Sequence, residues 1–157
     1  MRAAHRWFAV QFNNEAWDSL ESGSPAAGDG DRMLAAAYAS FRHWSTAGGP
    51  LEAQRARHLL ATVHAYLGHG ELALAQALAC AELSGKNGDE QTPFDRASAL
   101  ECLARAHACV GLPEAGKLRA DAERAGGEIP AVEDRQVFVR MLGCGPWYAL
   151  EDRAPRE

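Results

Sequence analysis

Two sets of polar side chains in this sequence are spaced so that a helix would gather each onto one stripe. Arg55, His58, Thr62 and Tyr66 recur at intervals of three and four, and so do Ser98, Glu101, Arg105 and Cys109, which is the spacing of neighbours along one face of an α-helix. An arginine in such a stripe forks a carboxylate, while tyrosine, histidine and glutamate supply further donors and acceptors. The mixture suits a peptide or a small polar ligand. The same residues on a solvated face would form only ordinary charge pairs.

Other chemistries find weaker footing. A zinc pair on one helix needs His-x-x-x-His, which the chain lacks. A mixed site from His43, Asp95, Glu101 and His107 is the one combination that distant residues could assemble, and the expectation is that no metal and no cofactor is held. Cys80, Cys102, Cys109 and Cys144 form no Cys-x-x-Cys pair and read as buried, inert thiols, although Arg105 lies near enough in sequence to activate Cys102 or Cys109. No Gly-x-Ser-x-Gly, phosphate loop or dinucleotide fingerprint is present, and Gly68-His69-Gly70 sits in a predicted helix hairpin. The reading therefore leans away from an enzyme. His43, beside Trp44 near a predicted helix end, is either a capping histidine or a functional imidazole.

These residues must be positioned by helices. About one residue in five of the 157 is Ala, while Val, Ile and Thr are scarce, a balance that favours helix and nearly excludes sheet. With 16 Lys and Arg against 21 Asp and Glu, the net charge of −5 offers no field for phosphate backbones, so no nucleic acid partner is expected. No window approaches about 18 apolar residues, so no membrane span is expected. The start of the chain lacks the apolar core of a signal peptide, which points to the cytoplasm.

Glycine, proline and polar clusters divide the chain into about seven helices. The first is expected over residues 4–20, with Phe8, Phe12 and Trp17 on one face, and a loop over 22–30 follows. Asp29 or Asp31 caps a second helix to about Thr46, closed by Gly48-Gly49-Pro50. The third and fourth, 51–67 and 71–83, flank Gly68-His69-Gly70, and a charged linker over 84–92 follows. Thr92-Pro93-Phe94-Asp95 opens the fifth with a hydroxyl cap, a proline and an acid, and carries it to Val110. The sixth, 114–124, is stopped by Gly126-Gly127, and Pro130 opens the seventh, to about Leu142. Phe8, Phe12, Phe41 and Trp44 read as core. Residues 1–143 thus make one domain with a tail over 144–157, in which Trp147-Tyr148 either caps an apolar helix face or anchors a partner.

The third and fourth helices repeat in the fifth and sixth at an offset of about 43 residues: Leu60 meets Leu103, Ala61 meets Ala104, His64 meets His107, Gly68 meets Gly111 and Ala77 meets Ala120. The clearest copies are 51–85 and 94–126. This unit resembles the tetratricopeptide-repeat superfamily, in which a small residue marks the helix crossing, an aromatic follows three residues on, then a turn glycine and alanines. Here Ala61, His64, Gly68 and Ala73, and Ala104, His107, Gly111 and Ala120, fill those places. Histidine replaces the aromatic in both copies, and the period exceeds the usual figure of about 34. The likeness extends to uncharacterised bacterial proteins of this type. It implies an all-α, right-handed helical-repeat solenoid of about seven antiparallel helices, with the first, third and fifth lining a concave groove. His64 and His107 then read as core imidazoles hydrogen bonded across each helix pair.

On that resemblance Asn13 and Trp17 join Arg55, His58, Thr62, Tyr66, Glu101 and Arg105 in the groove, and a non-catalytic adaptor for a peptide or partner protein is the first expectation. A small-molecule binder or enzyme, with a pocket around Asn13, Trp17, Tyr38, His43 and Glu101, is the second. A homodimer paired through the seventh helix or the tail is the third.

Overall fold

Alanine-rich segments broken by glycine and proline fold as their local signals dictate. A computed structural model describes residues 1–22 and 28–153, and among these it contains helix and no strand. The helices are α1 (Arg2–Glu21), α2 (Asp29–Ala47), α3 (Pro50–Tyr66), α4 (Gly70–Asn87), α5 (Pro93–Val110), α6 (Ala115–Gly127) and α7 (Val132–Gly143), with short 3-10 turns at Gly88–Glu90 and Tyr148–Arg153. The centre of the expected loop, 23–27, and the end of the tail, 154–157, lie outside the described residues. No described helix is long and apolar enough to cross a membrane.

α1 packs on α2, α3 on α4 and α5 on α6, while α3 also contacts α1 and α5, and α5 contacts α7. The odd-numbered helices therefore lie side by side. Small residues let the pairs close up: Ala61, Ala65, Ala73, Ala77, Ala99 and Ala106 share one fully buried cluster with Cys80 and Cys102. A second cluster joins Leu20 and Met33 to Leu59, Leu60 and Val63.

The 43-residue offset reappears as matched hydrogen bonds. At one turn the Gly68 amide donates to Ala65 O (3.1 Å) and the His69 amide to His64 O (2.8 Å); at the other, Gly111 donates to Ala108 O (3.1 Å) and Leu112 to His107 O (2.9 Å). The helix starts match as well. Pro50 and Pro93 each occupy the first turn, and each is followed by an acid that turns back to cap. The Glu52 carboxylate accepts the Gly49 amide (2.8 Å). The Asp95 carboxylate accepts the Thr92 amide (3.1 Å), while the Thr92 hydroxyl accepts the Asp95 amide (3.1 Å).

Several local expectations differ from the structure. Gly28, rather than Asp29 or Asp31, precedes α2, and both acids lie in its first turn. α4 runs on through the expected linker to Asn87 because that side chain is buried and donates to Gln54 Oε1 (2.8 Å) and Pro50 O (3.2 Å). Phe8 is 41% exposed rather than core. Gly126-Gly127 does not stop α6 but completes it. Gly126 is instead a seat for Phe138 of α7: a Cβ there would fall 2.1 Å from the Phe138 ring, whereas one on Gly127 would meet nothing within 4 Å.

That contrast predicts opposite outcomes for two adjacent alanine substitutions. Gly126→Ala should overpack the α6–α7 contact and cost about 1–3 kcal/mol, whereas Gly127→Ala should be neutral or mildly stabilising. Urea denaturation of both variants checks this.

Candidate functional site

The side-by-side odd helices enclose a cavity of about 550 Å³. α1 contributes Asn13, Trp17 and Glu21; α3 contributes Gln54, Arg55 and His58; α5 contributes Phe94, Asp95 and Ser98; α7 contributes Asp134, Val137 and Met141. Thr92, at the start of α5, and Cys80, from α4, complete the wall.

Asp95 organises one side. Its carboxylate caps its own helix and receives the Arg55 guanidinium in a fork, Nε to Oδ1 at 2.8 Å and Nη2 to Oδ2 at 2.9 Å, so it ties α3 to the start of α5. Burial opposes its charge, but Arg55 and the Thr92 amide and hydroxyl outweigh burial and hold the carboxyl below its ordinary range. Behind this pair an amide network fixes the α4–α5 connection: Gln54 Nε2 donates to Gln91 Oε1 (3.0 Å), and Gln91 in turn accepts from the Ser84 hydroxyl (2.7 Å).

The inner side is polar and unusually enclosed. His58 and Ser98 are 8% and 4% exposed. His58 Nε2, Ser98 Oγ and Glu101 Oε2 are buried without a hydrogen-bond partner, and His58 Nε2 stands 3.7 Å from Glu101 Oε2. Trp17 stacks on His58 with centroids 5.6 Å apart and planes inclined by 28°. Glu101 is completely buried; burial opposes its charge, yet Arg105 and His58 outweigh that and hold its carboxyl below the ordinary range.

Of the residues singled out in the sequence, Asn13, Trp17, Arg55 and His58 line this cavity together, and Ser98 of the second stripe joins them. Glu101 sits one layer beneath. Arg105 is 1% exposed and faces no ligand: Nε donates to Glu101 Oε1 (2.7 Å), Nη2 to Met141 O (3.2 Å) and Leu142 O (3.3 Å), and Nη1 to Pro146 O (3.1 Å). The Thr62 hydroxyl turns back to His58 O (2.9 Å). Tyr66 packs against Gly145, whose φ of +74° and a Cβ position 2.5 Å from the Tyr66 ring both require glycine.

The remaining positions lie elsewhere. His43 lies outside the cavity, one turn before the end of α2 at Ala47; it contacts His5 (Nδ1 to Nδ1, 2.8 Å) and stacks with Phe8 and Phe12. The Tyr38 hydroxyl reaches His64 Nε2 (2.9 Å) across the α2–α3 contact, and His64 Nδ1 lies 3.2 Å from His69 Nδ1. His107, expected to bond across its helix pair, donates instead to Leu103 O of its own helix (2.8 Å). His43, His107, Asp95 and Glu101 do not assemble, and among the described residues no three metal-ligating side chains come together. Burial raises the Cys109 thiol, and the Cys80 thiol together with burial raises Cys102, which disfavours the reactive thiolate.

The tail closes the far half of the groove. Trp147, 5% exposed, lies between the Arg105 and Arg119 guanidiniums, 4.2 and 4.4 Å from its ring centroid, and its Nε1 donates to Leu142 O (2.9 Å). The Tyr148 hydroxyl donates to Ala65 O, with burial and the neighbouring Cys109 pushing that phenol up to about 12. Trp147 and Tyr148 are therefore a cap on this chain's own helices.

Sequence reasoning missed Gln54, Phe94, Asp95 and Met141 as cavity residues. Asp95 had a legible signal, because Thr92-Pro93-Phe94-Asp95 falls at the repeat offset from Gly49-Pro50-Leu51-Glu52. The other three depend on helices remote in sequence. Compared with protein-family models, curated proteins and solved structures, the chain matches none.

Two outcomes follow from this geometry. A carboxyl held below its ordinary 3.8 contributes stability that is present above that pH and lost as the pH falls through the folded-state value. Asp95→Asn should therefore melt well below the parent at pH 7, and the gap between the two should narrow as the pH falls below 3.8. Trp147→Ala should lower the urea-unfolding free energy by about 3 kcal/mol.

Proposed function

We propose that this chain is a tetratricopeptide-like helical-repeat protein in which the stacked hairpins form a right-handed solenoid, and that it binds a compact polar ligand in the cavity between α1, α3, α5 and α7. The observation that carries the reading is the cavity itself: about 550 Å³, within the range of ligand sites, walled by Trp17 and Phe94 and floored by two buried polar side chains, His58 and Ser98, with unpartnered atoms. Interiors leave such atoms unpartnered rarely.

An extended peptide along the whole groove is disfavoured, because Gly145, Trp147 and Tyr148 already cover Tyr66, Arg105 and the Ala65 carbonyl. The binding role is a scaffold's: the Arg55–Asp95 fork and the Trp17–His58 stack are positioned to hold and orient.

A fragment panel followed by proton–nitrogen NMR tests the proposal. Binders should shift the Trp17 indole and Asn13 side-chain signals, and the Asn13 shift should disappear in Trp17→Leu while the rest of the spectrum stays native. Binders that leave both signals unmoved in the parent protein would remove the cavity from the account.

A further inference from the structure

The charges of the cavity point to the class of its ligand. Resting on the binding reading above, we infer that the site takes a cation, a primary ammonium carried on an apolar body.

Three carboxylates, Glu21, Asp95 and Asp134, and one guanidinium, Arg55, line the cavity. The charge of Arg55 is matched by Asp95, which receives its Nε and Nη2 through both oxygens. The buried Glu101 beneath the floor is likewise matched by Arg105. Two carboxylates, Glu21 and Asp134, remain in excess, one at the end of α1 and one near the start of α7. Neither takes part in an ion pair among the described residues. A concave site of one sign in low-dielectric walls concentrates ligands of the opposite sign.

The floor repeats this preference in hydrogen bonds. Ser98 Oγ and His58 Nε2 line or back the cavity without a partner, with Glu101 Oε2 beyond them. With His58 Nε2 turned toward the Glu101 carboxylate at 3.7 Å, Ser98 Oγ is the acceptor that the floor offers to an ammonium, which brings three donors and no acceptor. A carboxylate ligand would bring only further acceptors, and the one guanidinium of the lining already has its charge matched by Asp95. The side walls suit the rest of such a molecule. Trp17 and Phe94 offer ring faces, which attract a cation and cover an apolar body, and Val137 and Met141 add apolar surface.

The test compares three isosteric probes on the intact chain: 2-phenylethylamine, 2-phenylethanol and 3-phenylpropanoate, titrated by calorimetry with the Trp17 indole signal as the site marker. The amine should bind most tightly and the carboxylate most weakly. Glu21→Gln combined with Asp134→Asn changes two exposed side chains and should weaken the amine about tenfold, and raising the salt to about 0.5 M should do the same. The alcohol should be indifferent to both. If the alcohol or the carboxylate binds at Trp17 as tightly as the amine, or the double variant holds the amine unchanged, the cationic assignment is overturned while the binding site stands. If none of the probes moves Trp17, both readings fall.

Discussion

A buried guanidinium makes stringent demands, and much of this molecule is arranged around one. Arg105 is among the largest fully buried side chains, and a charge removed from water is tolerated only when its donors are all met. Glu101 supplies the counter-charge. The end of α7 and the Gly143–Trp147 turn supply backbone carbonyls, and the Trp147 ring covers the remaining face. The same ion pair sets the floor of the cavity, because the charge it maintains on Glu101 faces His58, on which Trp17 rests. One residue thus links the tail, the last helix and the wall of the site.

Asp95 plays the corresponding part at the other end of α5. Its carboxylate closes the helix start and clamps Arg55 of α3 by accepting four hydrogen bonds. α5 is accordingly tied to α3 at its start by an ion pair and, further along, to the end of α7 and the tail by the carbonyls that receive Arg105, and between these lie the small buried side chains Ala97, Ala99 and Ala104. Rigid placement of that helix is what gives the cavity a defined floor, since Phe94 and Ser98 both project from it.

The local parts of this design were readable from the sequence. The Thr92-Pro93 start, the turn glycines and the 43-residue offset depend on residues a few positions apart, and all three appear as matched hydrogen bonds. Of the cavity residues that were anticipated, Arg55, His58 and Ser98 came from helical periodicity, which survives folding, and Asn13 and Trp17 from the likeness of the repeat. What was not readable required knowledge of distant partners. The groups that meet Arg105 are mostly backbone carbonyls, which carry no residue identity. α7 as the fourth wall follows from the seat that Gly126 leaves for Phe138, where the sequence pattern suggested only a helix stop. His43 sits on the face of α2 that meets α1, beside His5, Phe8 and Phe12, and only the packing of the two helices decides that.

The reach of the tail has a consequence for how the protein is made. Chains emerge from the ribosome amino end first and begin to fold as they appear, yet the Ala65 carbonyl finds its tyrosine 83 residues downstream, and Arg105 waits some 36 to 41 residues for the carbonyls that receive it. Until those residues are synthesised, α5 carries a guanidinium that cannot be buried at a tolerable cost. The hairpins are therefore free to assemble early, while the cavity floor is completed only when the segment around Pro146 arrives, a late moment in the birth of the chain.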